Sequence, residues 1–144
     1  EMNIRDWSSD VCSSDLCFAP WPALAIQQEI WDAGGIGDAR RAVMDRAAPP
    51  KTTFFGRIAD RPAGTAFAAI HGDTAMIHAL EILPRCRRKG LAAIMVRAAA
   101  DWAVAQGAAR VATLVTAGNR AARGLYASLG FDAVGQYHYR IPSD

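Results

Sequence analysis

Very little in this 144-residue chain favours a membrane, a metal or a nucleic acid. No apolar run approaches the roughly 20 residues that a membrane-spanning helix needs. The formal net charge of +2 is too small to argue for nucleic acid or an anionic membrane surface. The three cysteines, Cys12, Cys17 and Cys86, have neither metal-ligand spacing nor the even count of a disulfide framework. They read as free thiols of a reducing compartment, the cytoplasm. The familiar phosphate loops are missing too, with no Gly-x-x-x-x-Gly-Lys-Ser/Thr and no Gly-x-Gly-x-x-Gly behind a strand. Internal repeats are lacking. What remains is an ordinary globular composition, 51% hydrophobic and 21% charged, at the length of one domain that can bury a core.

The beginning differs from the rest. Asp6-Trp7-Ser8-Ser9-Asp10-Val11-Cys12-Ser13-Ser14-Asp15-Leu16 resembles the translation of a widely used short-read sequencing adapter, and Glu1 to Arg5 fit its upstream arm. Residues 1–16 are therefore read as non-native and set aside, as an expression scar would be. The domain is taken as residues 17–144, with native sequence before Cys17 expected to be missing.

From Trp21 onward the hydrophobic period assigns the elements. Pro22 opens a helix carrying Leu24, Ile26, Ile30 and Trp31, which Gly34-Gly35 stops. A second short helix runs from about Asp38 to Ala47, ended by Pro49-Pro50. Three antiparallel strands follow: Thr52–Ala59, a turn over Asp60–Gly64, Thr65–His71, a tight turn at Gly72-Asp73, and Thr74–Leu83. Leu91, Ile94, Met95, Ala98, Trp102 and Ala105 then form one apolar helical stripe. Arg110–Thr116 is a strand, Asn119–Leu129 a helix closed by Gly130, and Ala133–Ile141 a final extended piece. The order α-α-β-β-β-α-β-α-β predicts an α/β (α+β) domain, a mixed sheet with helices on both faces.

Chemistry concentrates between the third strand and the strongest helix. The segment from Leu80 to Ala92 is a strand ending at Pro84, a loop with Arg85, Arg87, Arg88 and Lys89, and a helix opening at Gly90. A helix N-terminus offers unpaired N–H groups and a partial positive charge. With Gly90 and Ala92 allowing close approach and cations crowding the loop, this is an anion site suited to phosphate or pyrophosphate. The competing reading is a solvated basic turn.

Arg87-Arg88-Lys89-Gly90-Leu91-Ala92 resembles the pyrophosphate signature of the GNAT N-acetyltransferases, Arg/Gln-x-x-Gly-x-Gly/Ala, and Leu80-x-Ile82-x-Pro84 resembles the strand end before it. A second element, Asn119-x-x-Ala122-x-x-x-Tyr126-x-x-x-Gly130-Phe131, is similar to the family's helix at the thiol end of the cofactor. The resemblance covers most of residues 17–144 and is strongest from Met76 to Phe131. It implies the GNAT fold with its first strand missing or truncated, Cys17-Phe18-Ala19 being the remnant. It also looks like the C-terminal half of longer relatives, so an upstream GNAT-like half or a homodimer partner is expected.

The resemblance further implies acetyl-CoA as acyl donor, direct attack by an amine in a ternary complex, and no metal. The backbone at Leu80 and Ile82 would pair with the pantetheine arm. The N–H groups of Arg87, Arg88, Lys89, Gly90, Leu91 and Ala92 would hold the pyrophosphate. Asn119 would touch the cofactor and Tyr126 would protonate the leaving thiolate. Tyr126 also reads as a packing residue beside Leu125 and Leu129. Glu81 is the candidate general base, against a surface or salt-bridged role, with His78 and His138 behind it. Cys86 is read as incidental, and Trp21 and Trp31 as packing around the first helix. The acceptor is a small-molecule or peptide amine, and the lack of an acidic cluster disfavours a polyamine. The alternative is a non-catalytic acyl-CoA-binding or regulatory module, which would keep the loop but not need Glu81 or Tyr126.

Overall fold

The computed structural model describes residues 1–3 and 16–138. Its elements in chain order are β1 (Met2–Asn3), β2 (Cys17–Phe18), α1 (Ala25–Ala33), α2 (Asp38–Arg46), β3 (Lys51–Ile58), β4 (Arg61–His71), β5 (Thr74–Ile82), α3 (Leu91–Ala105), β6 (Arg110–Thr113) and α4 (Arg120–Ser128). They make one mixed sheet in the order β1-β6-β5-β4-β3-β2. Every pairing is antiparallel except β5 with β6, the two strands that α3 connects.

Two cores lie on opposite faces of the sheet, and β4 shows how the sequence divides them. Ala66 and Ala68 point to the α3 side, while Phe67 and Ala69 point to the side of Trp31, Ile36 and Met44. That is the period-two alternation of a strand covered on both faces. α3 lies close against its face because two strand positions have no side chain there. A Cβ at Gly56 would stand 2.8 Å from the Met95 sulfur, and one at Gly64 would stand 2.6 Å from Ile82 Cδ1. The helix contributes Leu91, Met95, Val96, Ala99, Ala100 and Ala103 as its buried face. The expected stripe is thus rotated. Ile94, Ala98 and Trp102 flank the buried face and Ala105 is exposed, because small alanines bring the backbone nearest the sheet.

On the other face α1 is joined to the sheet by a buried amide. Gln27 is wholly inaccessible; its Nε2 donates to Phe54 O at 3.2 Å and to Thr65 Oγ1 at 3.1 Å. Its Oε1 accepts from the Leu24 N–H at 2.9 Å, as a glutamine at the third helical position does, and from Thr53 Oγ1 at 3.2 Å. All four of its hydrogen-bonding positions, two donors and two acceptors, are used, which is what burying a polar group requires.

From α1 to α4 the element order agrees with the sequence reading, and Cys17-Phe18 pairs with Gly56 and Phe55 as β2. Four details differ. α1 begins at Ala25, not at Pro22, with Leu24 as its extended N-cap. The turn after β3 is only Ala59-Asp60, both at positive φ, and Arg61–Gly64 belong to β4, with Pro62 tolerated opposite a bulge at Gly56/Arg57. β6 stops at Thr113, short of Thr116. Residues 131–138 form no strand, and the remainder of the expected final extended piece lies outside the described residues, as does Cys12. The edge of β6 is instead paired by Met2 and Asn3, opposite Val111 and Arg110. The amino group of Glu1 donates to Asp132 O at 3.0 Å, and its carboxylate sits 3.3 Å from Arg110.

Candidate functional site

β5 changes character halfway along. From Thr74 to Ile77 it pairs with β4 on one side and with β6 on the other. Pairing with β6 ends at Ile77 opposite Thr113, whereas pairing with β4 continues to Ile82. Between these halves is a bulge. Phe67 pairs with His78 and Thr65 with Glu81, so Ala79 and Leu80 together face Ala66. Ala79 takes a left-handed φ of +52°, which accommodates the extra residue, and Trp31 Nε1 donates to its carbonyl at 2.8 Å. The bulge resets which side chains face which way. Ala75 and Ile77 belong to the α3 core before it, and Leu80 and Ile82 pack on the same core after it.

The consequence is a strand edge on β5 that opens where β6 ends at Thr113. Past Ile77, β5 has backbone groups on the β6 side that no strand pairs among the described residues. Such an edge can accept an extended ligand as an added strand. One member is already occupied, since Arg87 Nε donates to Ile82 O at 3.0 Å.

The loop leads from this edge to α3. Pro84–Cys86 form a short 3-10 turn, with Cys86 N bonded to Leu83 O at 2.8 Å and the Cys86 side chain buried in the core. Arg88 and Gly90 both have positive φ, 59° and 81°, so the chain doubles back to present the start of α3. Glycine at 90 needs no strain to do so. α3 has no side-chain cap and no acidic residue in its first turn, leaving its first N–H groups directed at solvent among Arg87, Arg88 and Lys89, all exposed. Leu91 anchors the turn from below, 2% exposed in the α3 core.

Tyr126 reaches the point where the strands part. It is buried, its ring 5.1 Å from that of Phe131 in an edge arrangement. Its hydroxyl lies near the Thr113 side chain, and Thr113 Oγ1 donates to Ile77 O at 3.1 Å. β6 and β5 are thereby linked at their last shared rung. Burial pushes the phenol pKa up, and the Thr113 hydroxyl opposes this. The phenol therefore keeps its proton at neutral pH.

Glu81 lies on the other side of β5, in register with Thr65, and half-buried. Burial raises its pKa above the usual carboxylate range, while Arg87 and Arg40 pull it down. His78, also on the α1 side, is held below its ordinary value by burial and by Arg40, and so is neutral at pH 7. Its ring stands 6.5 Å from Phe67.

The structure thus places Leu80 and Ile82 on this edge, Arg87–Ala92 on the loop and helix start that follow it, Tyr126 in the α3 core, and Glu81 and His78 on the other face of β5. Asn119 is exposed and caps α4, its Oδ1 accepting from the Ala122 N–H at 3.1 Å. That bond is a helix cap in its own right. His138 is exposed in the irregular segment after α4. Cys17 is buried with its thiol pushed up to about 12 by burial, so it is not a thiolate at neutral pH. Trp31 is core, whereas Trp21 is 41% exposed under Lys51 Nζ, 4.6 Å from the ring centre. A cavity of about 230 Å³ lies between Trp21, Trp31, Phe67 and Arg41, and none of the expected site residues lines it. Among the described residues no group of His, Cys, Asp and Glu could hold a metal, and no helix is long and apolar enough to cross a membrane.

Sequence reasoning missed Thr113 and the Ala79 bulge. Thr113 carried a weak signal, a hydroxyl in an otherwise apolar strand. An alanine in left-handed conformation carries none.

The same fold occurs in solved proteins. An aminoglycoside acetyltransferase, AAC(6')-Iy, in complex with the bisubstrate analog CoA-S-monomethyl-acetylneamine, superposes with a TM-score of 0.69 at 18% identity, over 89% of this chain and 97% of that one. The aminoglycoside acetyltransferase meta-AAC0020, from an uncultured soil metagenomic sample and in complex with sisomicin, gives 0.65 at 14% identity, over 91% and 100%. At these identities the likeness is one of fold. A curated relative, the uncharacterized N-acetyltransferase YobR of Bacillus subtilis (strain 168), is 33% identical over 98 residues, which is 65% of this chain and 38% of that protein. The chain thus spans well under half the length of that relative. The model of the Acetyltransferase (GNAT) family matches residues 13–131, most of the chain. This protein belongs to the GNAT acetyltransferase family.

Proposed function

We propose that this chain is an N-acetyltransferase that moves the acetyl group of acetyl-CoA directly to an amine of a small molecule or peptide. The observation that carries the reading is the parting of β5 and β6 after Ile77 and Thr113. It leaves an open strand edge that leads to the uncapped start of α3, with the Tyr126 phenol near Thr113, where β6 ends.

The residues present suit the donor. The pyrophosphate would take the free N–H groups of Gly90, Leu91 and Ala92, with Arg87, Arg88 and Lys89 adding charge. The pantetheine amides would pair with the open edge of β5 near Leu80 and Ile82. Asn119 would offer its remaining amide donors. The neutral nitrogen of the acceptor attacks the thioester carbon; the N–C bond forms and the C–S bond breaks. Glu81 takes the proton lost by nitrogen, directly or through water, its raised pKa making it a better base than an ordinary carboxylate. Tyr126 gives its proton to the departing sulfur, which requires the phenol to turn from Thr113. No covalent enzyme intermediate or metal is needed, and holding the reactants together supplies much of the rate. Buried thiols at Cys17 and Cys86 suit a cytoplasmic location.

The test is calorimetry with acetyl-CoA on the whole chain, alongside Ala92→Glu. A carboxylate in the first turn of a helix favours the helix dipole, so this variant keeps its melting temperature while repelling the pyrophosphate. Saturable binding by the native chain that weakens at least about 30-fold in the variant supports the site, given the energy of charge-assisted phosphate bonds. Unchanged affinity refutes it. Tyr126→Phe then separates an enzyme from a binding module: turnover should fall about 100-fold while acetyl-CoA affinity stays.

A further inference from the structure

The cavity between α1 and α2 carries chemistry that the proposed reaction does not use. Its α2 side is lined by Asp38, Arg41, Ala42 and Asp45, one helical stripe at the spacing i, i+3, i+4, i+7. A helix packed on a sheet ordinarily gives such a stripe to apolar residues. In α2 only Met44 is buried, Val43 is 57% exposed, and the stripe holds two carboxylates and a guanidinium, with Asp38 at the rim. The remaining walls are largely aromatic. Trp31 and Phe67 are buried, and the rings of Trp21 and Phe67 stand 6.2 Å apart at 52°, the geometry of a corner and not of a stack. The Trp31 ring is fixed by its bond to the Ala79 carbonyl.

The charges around this cavity are unequally committed. Arg41 binds Asp32 and Asp38 and donates to the Ile36 carbonyl at 3.2 Å. Lys51, at the edge, donates to Asp45 O at 2.6 Å and to Met44 O at 3.3 Å, and its ammonium lies 4.6 Å from the centre of the Trp21 ring. Both cations are thus held by groups of the protein itself. The Asp45 carboxylate differs, since among the described residues it has no ion-pair or hydrogen-bond partner. An anion would find no uncommitted cation here. A cation would find a carboxylate and three rings, whose negative faces attract positive charge. Lys51 over Trp21 already shows that contact within the chain.

We propose that this cavity binds a small organic cation, an ammonium bearing methyl or methylene groups, with Trp21, Trp31 and Phe67 around the charge and Asp45 as its counter-ion. The size agrees: about 230 Å³ holds roughly seven or eight heavy atoms at about 30 Å³ each. The site is distinct from the donor site, because none of Leu80, Glu81, Ile82, Tyr126 or the Arg87–Ala92 turn lines it.

The experiment titrates choline into the whole chain at constant ionic strength, beside 3,3-dimethylbutan-1-ol, which has the same shape without the charge. Binding is read by calorimetry and by tryptophan emission. Choline has no N–H to acetylate, so it reports on the cavity and not on amine transfer. It should bind saturably and at least about tenfold more tightly than the neutral isostere, the difference that a ring-bound, paired cation makes. Asp45→Asn removes the counter-ion from the last turn of α2, where an acid opposes the helix dipole, so the melting temperature should not fall. Choline affinity should drop at least about fivefold in that variant while the isostere and acetyl-CoA bind as before. Trp21→Leu keeps an apolar wall without the ring and should weaken choline more than the isostere. Equal binding of the two probes, no saturable choline binding, or a choline affinity that survives Asp45→Asn overturns the proposal. Each of those outcomes leaves the reading of the donor site standing, since that reading rests on other residues.

Discussion

The two halves of β5 have similar sequences and opposite duties. Thr74–Ile77 is bonded on both edges and gives Ala75 and Ile77 to a closed core. His78–Ile82 keeps one partner strand, and the edge it loses is where the donor is proposed to lie. The change falls where β6 ends at Thr113 and one residue is inserted opposite Ala66. A single strand can thus be closed along one stretch and open along the next when its neighbour on one side stops.

Removing the insertion should erase the contrast and gives the largest expected effect. Deleting Ala79 restores plain alternation along β5, with Leu80 and Ile82 still on the α3 side and Glu81 still on the α1 side, so the strand can run on without the bulge. The expected stability change in urea unfolding is therefore small, about 1 kcal/mol, set by the lost bond from Trp31 Nε1 to the Ala79 carbonyl. Acetyl-CoA binding should disappear. A variant that folds and still binds would show that the bulge is not what opens the edge.

Glu81→Gln tests the open half chemically, with a smaller effect. Turnover should fall about 100-fold, the usual worth of a positioned base. In the native chain the acid limb of kcat/KM should lie above 4.5, the group's ordinary value, because burial raises it. Stability follows the same sign. A carboxyl group whose pKa is higher when folded contributes stability below its unfolded value and loses it as pH rises through the folded value. The Gln variant should match the native chain near pH 4 and exceed it at pH 7. The gain should be no more than about 1 kcal/mol, since the group is half-exposed and screened. A melting-temperature difference that shrinks with rising pH would contradict the assignment.

Ala79→Gly gives the smallest change and sharpens the comparison. The left-handed φ of +52° costs an alanine about 1 kcal/mol that glycine does not bear. The variant should therefore be more stable by up to about that amount, with the bulge retained. Destabilisation would mean that the extra residue is accommodated differently.

Much of the architecture was legible because it rests on periodicity and punctuation. Gly34-Gly35, Pro49-Pro50, Gly72 and Gly107 mark breaks that fall at real element ends. The basic turn into α3, proposed to hold the pyrophosphate, was legible as a turn because Gly90 and the cations lie together in the sequence. Errors came where context overrides composition. In α3 the largest side chains were taken as the buried face, but Ala99, Ala100 and Ala103 lie deepest because small residues permit the closest approach. The tail after Phe131 alternates like a strand, yet pairing is a property of the partner edge, and Met2–Asn3 hold that edge of β6 at Arg110 and Val111. The Ala79 bulge left no trace, since nothing in an alanine announces a positive φ. Asn119 shows a different limit. One motif position serves as a helix cap, and a sequence cannot apportion a side chain between capping and ligand contact.

Gln27 has a mechanical consequence. With its amide fixed to Phe54, Thr65, Leu24 and Thr53, α1 cannot slide along the sheet or roll on its axis without breaking several hydrogen bonds in a place that water does not reach. Amide protons along α1 should therefore exchange with deuterium as slowly as those of the strands beneath it. Domain breathing must then be sought in the Arg85–Gly90 loop and the exposed stretch from Thr116 to Asn119. The turn at Gly34, which ends α1 against the Glu81 carboxyl, is held in place by the same anchoring of α1.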